Sequence, residues 1–425
     1  DDLQGFKFGE EGDQNIIKCG SYEGNENANG PEIYLGWKPQ WLLFKNADTT
    51  DGWAIFDSMR GVVTGDDDNL LYANTSNDEN GNQNYLNLTS TGFKPTYAND
   101  LINGLNKKTI FIAIRGTDGL VSKLPEVGTD VFTIDTGQDS ATIPNFDSGF
   151  PVDFAIARNP SANDNNLVGT RMTGPKYLIT NSSGNGTNDA TGWSWDSNLG
   201  WNNHGSYSAA YYSWMWKRYA GFEVVTYTGN GSTTGDFQDI PHNLGRVPEM
   251  VWIKRRSAAA QWSVGHKGLN GGTNPWHYSF HLDSNVVEVN YPTFFDTAPT
   301  SNVVTVGDHG NVNENTNAYV MMLFASIEGI SKVGSFDGSN STQTITTGFA
   351  PRMLIIKRAS GGTGDWFLWD TLRGWTAGND PFLELNDNTS QVNFEAGAPT
   401  ATGFTITNYA GWSESGSKYI YYAHA

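Results

Sequence analysis

Residues Gly348–Gly374 read GFAPRMLIIKRASGGTGDWFLWDTLRG, and two further stretches restate them: GWKPQWLLFKNADTTDGWAIFDSMRG from Gly36 and GRVPEMVWIKRRSAAAQWSVGHKG from Gly245. In each, a Gly/Pro turn leads into an apolar run, and a second, aromatic-rich strand follows. Aligning the prolines before the runs gives Pro39, Pro248 and Pro351, with a gap of double length between the first two. A more diverged copy, GFPVDFAIARNP with Pro151, fills that gap and makes four. The period is then about 100 residues, too long for a solenoid unit and right for a small all-β domain.

Each copy opens on a strand and a polar turn (IIKCGSYEGNENANG, VFTIDTGQDSATI, FEVVTYTGNGSTTG, SKVGSFDGSNSTQTI) and closes on another strand (TIFIAIRG, YYSWMWKR, YVMMLFAS, YIYYAHA). Alternating bulky and polar residues between frequent turn signals predict a β-sandwich, and helical periodicity is nearly absent. The runs MLIIK and MVWIK are apolar at consecutive positions, as in a central strand covered on both faces or leading into a turn. Lys45, Lys254 and Lys357 end such runs and are expected to be exposed there, discouraging edge pairing. The predicted architecture is all-β, with four tandem β-sandwich domains over residues 1–119, 120–220 (diverged), 221–328 and 329–425. The joins KRYAGFEVV and ASIEGISKVG are short and RGTDGLVSKLPEVGTD is the one linker, so a semi-rigid rod is expected.

Only 37% of residues are hydrophobic, but 15 Trp, 18 Tyr and 22 Phe are bulky enough to fill several cores. A net charge of −19 opposes any sequence-independent grip on nucleic acid, which needs a basic surface. No apolar run is long enough for a membrane span, so no membrane insertion is expected. The single cysteine, Cys19, excludes an intrachain disulfide and a thiolate metal cluster. The start at Asp1, without Met, and an abrupt first strand lead to the expectation of processing or of a longer parent polypeptide.

Candidate chemistry is sparse. Asp57 and Asp370 recur at one position of the repeat, where the third copy has His266, but Arg60 and Arg373 stand three residues on, as in a turn cap. Asp66–Asp68 lack the spaced ligands and closing glutamate of a calcium loop and read as a solvated acidic turn. His277 and His281 lie four apart in an apparent strand, too far to chelate one ion easily. No catalytic residue, metal or cofactor is therefore expected, and the chain reads as a non-enzyme. Sugar rings stack on flat aromatic faces, so Trp193, Trp195 and Trp201 in GWSWDSNLGWNNHG and Trp276 in NPWHYSF are the candidate glycan-binding residues.

The phrases GFKFGEEGDQNIIKCGSYEGN, PEIYLGWKPQWLLFKN, KRYAGFEVVTYTGNGS and IPHNLGRVPEMVWIKRRS carry a resemblance that extends over nearly the whole chain. They resemble the tandem repeats of marine bacteriophage structural proteins, tail-fibre-like components of cyanophages and related ocean phages. The resemblance implies a virion component on the particle surface, built from concanavalin- or jelly-roll-like sandwiches, often within a larger polypeptide and with no family catalytic residues to transfer. It also implies other virion proteins as partners, a homo-oligomer, and attachment to a host-surface glycan. The alternatives are a capsid decoration protein without a receptor, a polysaccharide-degrading tailspike, or a bacterial adhesin.

Overall fold

The computed structural model describes the chain except residues 1–15, 66, 90, 117–126, 139–143, 190–191, 196, 203–206, 219–220 and 232–236. Four large antiparallel sheets follow one another, each with the same strand order: opening, closing, central, third. The opening strands are Ile17–Glu23, Phe132–Thr136, Phe222–Thr228 and Ser331–Asp337, and the apolar runs form the central strands Pro39–Asn46, Phe154–Arg158, Met250–Arg255 and Met353–Ser360. The third strands are Ala54–Asp57, Leu167–Thr170, Ser263–His266 and Trp366–Asp370; the closing ones are Lys108–Arg115, Tyr212–Trp216, Ala318–Phe324 and Lys418–His424. The register repeats as well. Opening and central strands flank the closing strand so that Ile17, Phe132, Phe222 and Ser331 are paired with Ile114, Trp216, Phe324 and His424, which in turn face Trp41, Phe154, Met250 and Met353.

A smaller sheet lies against each large one in the chain, for instance Gln343–Thr346 with Gly403–Ile406 and Pro399–Thr400 in the last repeat. Between large and small sheets sits a private core, such as Leu354, Ile356, Phe404 and Tyr421 in the fourth repeat and Phe44, Phe56, Phe93 and Phe111 in the first. The protein is an all-β, sandwich-built molecule, as the alternation predicts.

The rod is corrected. One further core joins the other faces of the second, third and fourth sheets, with Trp214 and Trp216, Trp252 and Trp262, and Trp366 and Tyr422 in a single cluster. Ring contacts cross every pair: Phe154 to Phe222 at 5.4 Å, Phe324 to Tyr422 at 5.0 Å and Phe132 to His424 at 4.6 Å. The consecutive apolar residues of the runs are explained by this double coverage. In Met353–Ser360, Leu354 and Ile356 face the private core while Met353 and Ile355 face the shared one. A buried aromatic side chain removes roughly 150–250 Å² from water, or about 4–6 kcal/mol at ~25 cal/mol per Å², so a core holding this many tryptophans outweighs polar contacts between the sheets.

The lysines are corrected too. Lys254 and Lys357 are fully buried. Lys254 Nζ donates to the carbonyls of Ser183, at 2.8 Å, and Ala260; Lys357 Nζ donates to the Gly364 carbonyl and lies 5.4 Å from the Phe280 ring centre. A cation near the end of an inward-facing run is thus held by loop carbonyls, which compensate its desolvation.

Candidate functional site

The position shared by Asp57, His266 and Asp370 ends the third strand, and the second repeat has Thr170 there. All four accept a hydrogen bond from the backbone just beyond. Asp57 Oδ1 takes the Arg60 amide at 2.8 Å, Thr170 Oγ1 the Thr173 amide at 3.1 Å, His266 Nδ1 the Gly268 amide at 2.9 Å and Asp370 Oδ1 the Arg373 amide at 2.9 Å. Arg60 Nε and Arg373 Nε close their aspartates at 2.6 Å. Four different side chains doing one local task make this a turn cap.

The candidate glycan platform does not survive. Trp193, Trp195, Trp201 and Trp276 are 1%, 4%, 0% and 6% exposed. The first three stack on one another inside the second repeat, Trp193 on Trp201 at 4.4 Å and Trp195 on Trp201 at 5.4 Å, and Trp276 packs edge-on to Phe295. The small sheet of that repeat has only two residues per strand, Phe146–Asp147 and Gly200–Trp201, so loop tryptophans fill the interior that longer strands fill elsewhere. Their indole donors are partly used inside, Trp195 Nε1 on the Gly174 carbonyl at 2.9 Å and Trp201 Nε1 on Ser213 Oγ at 2.9 Å.

Two other residue groups fare differently. His277 Nε2 lies 3.4 Å from Asp296 and His281 Nδ1 2.9 Å from the Trp262 carbonyl, so they do not converge, and among the described residues no cluster of three metal-ligating side chains occurs. The acidic turn is not solvated throughout: Asp68 is buried, accepting the amides of Val63, Tyr85 and Leu86 at 2.7–2.9 Å, while Asp66 lies outside the described residues.

Two cavities among the described residues bear on function. The larger, about 270 Å³, lies where the first repeat meets the third, lined among others by Lys38, Lys94, Glu223, Asp239 and His242. Behind it a charge network ties three repeats: Arg218 Nε lies 3.0 Å from Asp153 and its guanidinium 3.9 Å from the buried Glu223. Burial pulls the Lys38 amine down to about 8, with Glu223 pulling the other way, and burial raises Glu223. Arg256 also donates to the Thr64 carbonyl at 3.0 Å and Arg171 to that of Met59 at 3.3 Å. This cavity is the seam by which the first repeat is attached, with its charges compensating one another.

The smaller cavity, about 200 Å³, opens on the fourth repeat and is lined by Asp365, Phe367, Phe382, Glu384 and Tyr409 together with Arg358 and Asn285. Tyr409 is 42% exposed and its ring lies 4.8 Å from that of Phe394, tilted by 43°, with Phe394 itself 43% exposed. Desolvation, then Asp365 and Asp387, push the Glu384 carboxyl up to about 7. Flat rings beside carboxylate acceptors are the parts a sugar needs, and here the Tyr409 ring faces solvent beside the half-buried Asp365 and Glu384. The sequence gives little signal for this group, because Glu384 and Tyr409 fall in the variable part of the repeat.

These observations define a multi-sheet all-β protein with a structural seam and, among the described residues, a solvent-facing aromatic–acidic cleft. The chain belongs to the family described as Domain of unknown function (DUF7483), whose model matches residues 13–117 and 159–425. No curated protein matches the chain. No helix among the described residues is long and apolar enough to cross a membrane.

Proposed function

We propose that the chain is a structural component of a bacteriophage virion, a tail fibre or similar surface appendage that attaches to host-surface glycans. The observation that carries this reading is the fourfold reuse of one sandwich, which extends reach and surface without a new folding solution. The cleft of Tyr409, Asp365 and Glu384 is the glycan contact in this reading, replacing the buried tryptophans. Weak single contacts gain strength from many copies on one particle. The partners are other virion proteins and further copies of the chain. Glycan-array binding tests the contact: the parent binds host-surface glycans and Tyr409→Ala loses the signal, whereas equal binding by both removes the cleft from the account.

A second reading, polysaccharide cleavage, is favoured by one observation, the Glu384 carboxyl held near neutral beside Asp365 in an open cleft. A protonated acid next to a second carboxylate is the pairing glycoside hydrolysis uses. Incubation with host capsule or lipopolysaccharide decides: shortened chains that disappear with Glu384→Gln favour cleavage, and intact chains favour attachment alone.

A further inference from the structure

The three sheets around the shared core meet in a closed ring. Towards the end of each central strand stands a cation, Arg158, Lys254 or Lys357; Trp366 pairs with Lys357 at the start of its third strand, and Asn166 and Trp262, each one residue before theirs, continue the same register opposite Arg158 and Lys254. Each of these three residues donates to a main-chain carbonyl of a neighbouring repeat. Asn166 Nδ2 reaches the Glu384 carbonyl at 2.9 Å, Trp262 Nε1 that of Ile179 at 2.9 Å, and Trp366 Nε1 that of His281 at 3.1 Å. The acceptors are themselves equivalent by strand pairing, since Ile179 pairs with Leu167 and Glu384 with Phe367, and His281 follows Phe280, which bridges Val264. The second repeat therefore donates to the fourth, the fourth to the third and the third to the second. A contact that runs in one sense and closes after three steps is what a threefold axis imposes.

Among the described residues, the first sheet carries the same face without neighbours. Trp53 stands at the position of Trp262 and Trp366, Lys45 at that of the cations, and Tyr72, paired with Ala54, at that of the acceptors. Ile110 and Ile112 correspond to Ile420 and Tyr422, and Cys19, opposite Ile112, corresponds to Val333, opposite Tyr422. Trp53, Ile110 and Ile112 are 36%, 38% and 37% exposed, against at most 1% for Trp366, Ile420 and Tyr422. Leu43, equivalent to Ile355 of the shared core, is likewise only half-buried. Among the described residues, one apolar surface is thus buried three times by its own kind and left open once.

We infer that three copies of this chain join through the first sheet, each supplying one of the three sheets of a second threefold core, with Trp53 donating to Tyr72 of the partner subunit. The occupant of the open face is the same face of two other copies, because that is what covers it in the other three repeats. Cys19 then lies inside the interface. A net charge of −19 per chain opposes assembly at long range, so the trimer strengthens as salt screens it.

Light scattering on the chromatographed chain at micromolar concentration and physiological salt tests this. The expected mass is three times the 46.5 kDa of one chain, with Cys19 slow to react with a maleimide. Ile112→Glu and, independently, Trp53→Ser are expected to give the single-chain mass and a several-fold faster thiol reaction, with unchanged circular dichroism. A parent of one-chain or two-chain mass overturns the proposal. So does a three-chain mass that persists in both variants.

Discussion

At the scale of single residues, the glycine before each apolar run shows how a repeat is written into the backbone. Gly36, Gly149, Gly245 and Gly348 hold φ of +88°, +76°, +70° and +95°, a region that L side chains avoid. Beyond Gly348 and its two chain neighbours no atom lies within 4 Å of a Cβ built there, so Gly348→Ala is expected to cost only the conformational penalty of about 1–2 kcal/mol, read from the denaturation midpoint. Gly403→Ala is expected to cost more, because its Cβ would sit 2.0 Å from the Ile345 carbonyl oxygen across the small sheet. Burial supplies a pH dependence. It pulls His424, in ring contact with Phe132, from its ordinary 6.5 down to about 3. The unfolded chain therefore takes up this proton first, so the histidine's share of stability is intact above pH 6.5 and is lost as pH falls from 6.5 towards 3. His424→Phe is expected to gain stability relative to the parent across that window in urea titrations at several pH values, and a pH-independent difference would show that the histidine is not buried neutral.

At the scale of elements, the strands are the most legible part of the sequence. Alternation in YIYYAHA assigns Tyr419 and Tyr421 to one core and Ile420 and Tyr422 to the other, and the aspartates' turn-capping role follows from arginines three residues on. Two readings fail for a common physical reason. Burial of Lys254, Lys357 and the loop tryptophans depends on which distant surface covers them, and local spacing carries no record of that. The double-faced runs do announce a second layer, without naming its owner. Trp366→Ala is expected to cost about 3–5 kcal/mol as a large buried side chain removed from the shared core, with the His281 carbonyl also losing its donor. The equivalent loss in the first sheet, Trp53→Ala, is expected to leave the unfolding of the other three repeats unchanged, checked by the same denaturant titration.

At the scale of the whole molecule, four copies of one sheet divide into a group of three with a common core and one attached through a polar seam. The short joins make this possible: only five residues, 217–221, separate the closing strand Tyr212–Trp216 from the opening strand Phe222–Thr228, so successive sheets are held close enough to share a face. A seam of compensating charges stabilises far less than an aromatic core, so the first repeat is expected to open independently of the rest. Hydrogen exchange followed by mass spectrometry across a denaturant series measures this directly, on peptides from the four closing strands. Tyr212–Trp216, Ala318–Phe324 and Lys418–His424 are expected to lose protection at one common denaturant concentration, with Lys108–Arg115 free to differ. Three separate midpoints for those three strands would contradict the shared core on which the account stands.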